Sequence, residues 1–155
     1  MLIANKSAWW MLTLTLVSIG LLLVVWPHYL LRDSEVLLNL RRGGASRFYF
    51  VATIFGYVGL VAVVGLPLVI PAVWDLAFQY FVVFGLLQIT MSGIFAFGYF
   101  GAIARANRMI LKLENRSSTR FEQIIFVTLC PFPIVLLPLL HTRLNRKYLE
   151  MRGAR

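Results

Sequence analysis

The chain has 155 residues, 60% hydrophobic and 14% charged, where an ordinary soluble domain is roughly 45–50% apolar and about 25% charged. Together with a mean hydropathy of +0.81, this excludes a disordered chain, a coiled coil and a water-soluble enzyme, and points to an all-α integral membrane protein with a single membrane domain, 1–155. Fifteen Lys and Arg against six Asp and Glu give a net charge of +9, but these bases flank apolar runs, so membrane orientation and anionic lipid headgroups account for them and nucleic acid does not.

The first uncharged run, Ser7–Leu31, is 25 residues long. It is too long for a signal-peptide core, and Trp26-Pro27-His28-Tyr29 is no cleavage site, so it reads as a transmembrane helix over about 8–31. Trp9-Trp10 and Trp26/Tyr29 suit the two aromatic belts. Beyond it, Asp33-Ser34 is expected to cap a short helix ended by Gly43-Gly44. That helix would turn Leu37 and Leu40 to the bilayer and Arg41 and Arg42 to the headgroups.

The runs Phe48–Trp74 (27 residues) and Leu76–Ala104 (29 residues) predict a helical hairpin, with spans near 47–66 and 71–104. Pro67 and Pro71 bracket the turn, and Pro71 suits a first helical turn, where its missing N–H costs nothing. The third helix is expected to run on into water through Asn115, on the helix propensity of its Ala, Arg, Met, Leu, Lys and Glu.

The fourth run, over about 122–142, is interrupted by Pro131 and Pro133, with Pro138 following. Each proline removes a backbone donor and clashes with the carbonyl four residues back. Each half is only about nine residues, ~13 Å of helix, enough to reach the midplane. A re-entrant hairpin is the first reading and a kinked fourth span the second. Charge favours the hairpin. The linkers Arg32–Arg47 and Arg105–Glu122 carry four and five bases and the tail 143–155 carries five, so re-entry puts fourteen of the fifteen on one side. That side is assigned as cytoplasmic, with the N-terminus outside, in a bacterial cytoplasmic membrane. Within the amphipathic tail, Leu144, Tyr148 and Met151 form a stripe for the membrane surface, while Arg143, Arg146 and Lys147 meet phosphates.

Ala52, Gly56 and Gly59 share one face of the second helix. Gly85, Gln88, Ser92, Ala96 and Tyr99 share one face of the third. Such faces permit close backbone approach, either within the hairpin or against another subunit. His28 and His141 read as interfacial residues, since no further ligand supports a haem or metal pair. Cys130 is the single cysteine, which excludes an internal disulfide. No Asp, Glu, Lys or Arg lies within an apolar run, which argues against a proton-coupled transporter. No nucleotide, hydrolase or metalloprotease motif occurs, so no enzyme and no cofactor is expected. Three functions compete. The first is a non-catalytic accessory or assembly subunit that docks on larger membrane subunits and binds anionic lipid. The others are a homo-oligomeric pore or membrane-perturbing effector, and a membrane exclusion or immunity protein.

Overall fold

A computed structural model describes residues 7–17, 21–39 and 44–153, and every regular element among them is a helix. In chain order these are α1 (Ala8–Val17), α2 (Leu21–Leu37) and α3 (Gly44–Leu60). A π-helical turn (Val61–Gly65) then leads into α4 (Leu66–Val69), α5 (Pro71–Gln79), α6 (Phe81–Leu113), α7 (Arg120–Leu129) and α8 (Pro133–Gly153). Among the described residues, two stretches are long and apolar enough to cross a membrane, Gly44–Val69 (26 residues) and Phe81–Leu113 (33 residues). Their most apolar windows are only 17% and 6% buried, so the apolar side chains face outward and do not form the kind of core a soluble protein would make of them. Packing gathers the chain into two compact units, one of residues Phe48–Gly101 and one of Met1–Arg47 with Ala102–Arg155.

In the unit Phe48–Gly101, the antiparallel hairpin follows the sequence closely. The chain turns at Ile70, whose backbone is extended (φ −116°, ψ 107°), and Pro71 opens the next helix. Glycines set how closely α3 and α6 approach. A Cβ on Gly98 would lie 2.5 Å from the Thr53 amide nitrogen, and one on Gly56 would overlap the Phe95 backbone. Rings fill the remaining space: Phe95 stacks on Tyr99 (5.6 Å, 12°), and Tyr49 meets Phe97 at 5.7 Å. The helix expected over 71–104 is broken at Tyr80 (φ −109°, ψ 39°), which carries no local breaker; the break accompanies packing of α5 back against α4.

In the other unit, α1 and α2 both pack on α8. Helix α8 presents Leu136, Leu137, Leu140, His141 and Leu144 inward, an i, i+1, i+4, i+5, i+8 pattern that makes one buried stripe. Trp26, Leu30 and Leu31 from α2 and Ile103, Ala106 and Ile110 from the end of α6 complete the core.

Three expectations are corrected here. The single helix over 8–31 is two helices, α1 and α2, and both lie along α8. Ser7, Ala8 and Trp9 share a cavity of about 500 Å³ with Thr142, Asn145, Arg146, Leu149 and Glu150, while Trp26 bonds to His141. A straight helix would hold residues 8 and 26 about 27 Å apart, more than that stretch of α8 can span. Asp33 and Ser34 do not begin a helix. They lie inside α2, fully buried, and the Ser34 hydroxyl donates to the Leu30 carbonyl at 2.7 Å. The tail is not a separate surface helix, because α8 runs unbroken to Gly153 and buries Leu144.

Candidate functional site

Both flanks of the Pro-broken segment meet at Glu114. Helix α6 ends in a Schellman turn: Asn115 takes a positive φ of 51°, its N–H donates to Lys112, and the Arg116 N–H donates back to Leu111. Three residues later Thr119 starts α7 with a capping box, accepting from the Glu122 amide at 3.2 Å while Glu122 accepts from the Thr119 amide at 3.1 Å. These two local structures put Arg116 between two carboxylates. It pairs with Glu122 and sits 4.0 Å from Glu114. From α8, Arg143 grips Glu114 with two hydrogen bonds, one from Nε at 3.1 Å and one from an NH2 group, and Arg146 adds its charge at 3.8 Å.

The Glu114 side chain is only 4% exposed. The hydrogen bond from Arg143 holds its carboxyl below the usual glutamate range. Burial opposes that shift, and the charges of Arg143, Arg116 and Arg146 reinforce it. An anion flanked by three guanidiniums is a structural clamp.

A second buried polar pair joins α2 to α8. The Trp26 indole N–H donates to His141 Nδ1 at 3.3 Å, with the rings edge to face at 5.8 Å. Indole is donor only, so His141 carries its proton on Nε2. His28 and His141 are both buried in the protein, 6% and 0% exposed. Among the described residues no group of three His, Cys, Asp or Glu could hold a metal ion.

The proposed docking faces divide. Gly56 and Gly59 are used inside the hairpin, against Phe95 and Met91, and Ala52 and Ser92 are half-buried. Ala96 is half-buried and Tyr99 buried. Gly85 and Gln88 instead line an apolar cavity of about 320 Å³ formed by the π-turn, α4, α5 and the start of α6. Sequence reasoning missed Gly98, Gly101 and Thr53, where α3 and α6 also approach closely; a small residue on α6 two and five positions past Ala96 was the available signal for the two glycines.

Of the three prolines, Pro131 and Pro133 flank the break between α7 and α8. Pro138 does not break the chain and lies within α8. No backbone donor among the described residues reaches the Cys130 or Pro131 carbonyl: Pro133 has no N–H to give, and the Val135 N–H goes to Phe132. Of the expected headgroup residues, Arg41 and Arg42 lie outside the described residues. Arg143 is committed to Glu114, and Arg146 and Lys147 share Glu150 at 3.9 and 2.6 Å. The chain matches no known protein family, no curated protein and no solved structure.

Proposed function

We propose that the protein is a small non-catalytic integral membrane subunit that docks on a larger membrane protein through the turn between α7 and α8. The observation that carries this is the open backbone of that turn. Pro131 and Phe132 are exposed, and the Cys130 and Pro131 carbonyls have no backbone donor among the described residues. Around them Phe121, Ile124, Val127, Ile134 and Val135 are exposed and apolar. Irregular backbone at membrane depth is tolerated only under protein cover or against a wet cavity. A partner's donor groups supply that cover.

On this reading α3 with its π-turn and α6 span the bilayer, and segments 7–31 and 122–142 re-enter. Support for re-entry is geometric. The flanks of segment 122–142 meet through Arg116 and Glu114, and the ends of segment 7–31 both lie along α8. This topology moves the N-terminus to the cytoplasmic side with the basic linkers and tail, in keeping with the positive-inside tendency, in a bacterial cytoplasmic membrane. Anionic headgroups are left to Arg41, Arg42 and the exposed part of Arg146. A pore lined by Gly85, Gln88, Ser92 and Tyr99 has less support, since Tyr99 is buried against Phe95.

The test is a photo-crosslinking amino acid at Phe132, expressed in the native host, with Phe48 as a lipid-facing comparison. Capture of one stoichiometric larger subunit at 132 and none at 48 is expected. Lipid adducts alone at 132, from a protein that elutes as a monomer in mild detergent, sink the docking reading. Capture of a foreign translocation component alone would favour the exclusion reading.

A further inference from the structure

Helix α6 ends in a row of bases that meets no acid among the described residues. Arg105, Arg108 and Lys112 stand at i, i+3 and i+7, so they share one face, and all three are exposed. The opposite face is buried through Ile103, Ala106 and Ile110. None of the three bases makes an ion pair or a side-chain hydrogen bond among the described residues. Like charges three and four apart on a helix repel, so the row is locally unfavourable. The chain has no acid left to neutralise it. Of its six carboxylates, Asp33 is held by Arg32, Glu114 by Arg143, Glu122 by Arg116 and Glu150 by Lys147. Glu35 is buried, and Asp75 lies in α5, across the bilayer when α6 spans it.

Lipid headgroups account for only the first of these bases. Arg105 is the first charge after the uncharged run that starts at Leu76, which puts it at the hydrocarbon boundary. Helix α6 continues to Leu113 and carries Arg108 about 4.5 Å and Lys112 about 10.5 Å further along its axis. The polar layer of one leaflet is about 5–8 Å deep, so the row leads out of it. Its counter-charge belongs on a protein beside α6 and not on the membrane beneath it. We propose that Arg105, Arg108 and Lys112 form a docking strip for an acidic helix of the larger subunit, one whose Asp or Glu side chains recur every three or four residues. Such a helix presents carboxylates at the spacing of the three bases, so complementary charge also fixes the register.

The inference rests on the docking reading, and the experiment separates the two. Native-host membranes are treated with a water-soluble carbodiimide. The reagent joins a lysine amine to a touching carboxylate as an amide, takes up the water that leaves and becomes a urea; mass spectrometry maps the joined peptides. In the complex captured through a photo-crosslinker at position 132, Lys112 is expected to form an amide with an Asp or Glu of the same larger subunit. The new amines in Arg105→Lys and Arg108→Lys are expected to do so too. Changing all three bases to Gln is expected to weaken retention of that subunit by about tenfold at low salt, at about twofold for each exposed ion pair. Arg152→Gln, an exposed base outside the row, leaves retention unchanged. A complex intact at 132 with no amide at any of the three positions overturns this proposal and leaves the docking reading standing. No subunit captured at 132 overturns both. Loss of anionic lipid from the Gln variant while the subunit stays bound assigns the row to headgroups and also overturns the proposal.

Discussion

Replacing Glu114 with Gln should destabilise the protein by about 3 kcal/mol. Arg143 makes two charge-assisted hydrogen bonds to this carboxylate. Such bonds contribute about 1.5–3 kcal/mol each, and a neutral amide can still accept one of them. Breaking a buried pair costs about 3–5 kcal/mol, and the lower end applies because the Arg143 side chain is 27% exposed and keeps some water. The assay is a double-mutant cycle of Glu114→Gln and Arg143→Met, followed by reversible unfolding in mixed detergent micelles. A coupling of about 2 kcal/mol is expected. A value under about 0.5 kcal/mol, typical of an exposed pair, would refute the clamp. The pH dependence follows from the same contacts. The folded carboxyl titrates below its unfolded value, so its contribution is complete above the ordinary glutamate pKa of about 4.3 and is lost as pH falls through the folded value. Glu114→Gln should remove that acid-side slope.

The glycines separate by their surroundings. Gly98→Ala should lower stability by about 1–3 kcal/mol through overpacking against Thr53, while Gly93→Ala, facing open space, should gain about 0.5–1 kcal/mol from helix propensity; thermal melts of the two variants give the signs. In a Cys130→Ser background, cysteines at Ser7 and Glu150 should be joined by a short bismaleimide and label from the same side with a membrane-impermeant maleimide; labelling from opposite sides refutes re-entry of the first segment. Trp26→Phe removes the indole donor from buried His141 and should cost about 1–3 kcal/mol, and nitrogen NMR of the wild type should find the His141 proton on Nε2.

Much of the fold was legible because hydropathy and proline carry it. The turn at Ile70 falls between Pro67 and Pro71, and the break at Cys130–Phe132 contains Pro131 and ends at Pro133. Hydropathy did not separate α1 from α2, since two helices in tandem and one long helix have the same apolar length; the difference lies in contacts with α8, far on in the chain. Trp26 illustrates the ambiguity, because an aromatic near the end of an apolar run suits a membrane interface and a buried hydrogen bond equally well. Glu114 was hidden for a different reason. Within a basic linker it looked like a solvated charge, and only tertiary packing brings Arg143 to it. The capping box was readable, since Thr119 and Glu122 stand three apart just before an apolar run.

The division of the chain into units also has a consequence for the order in which it folds. Residues Phe48–Gly101 form a hairpin from one continuous stretch, and that hairpin can close as soon as it has left the ribosome. The other unit has no such freedom, because α1 and α2 both pack on α8, which is translated last of the helices. Trp26 therefore waits for its His141 acceptor through the synthesis of the whole hairpin. During that interval the first two helices are the part of the nascent chain exposed to mispairing and in need of a holding factor, and a chain stalled before Pro133 leaves them as a target for proteolysis.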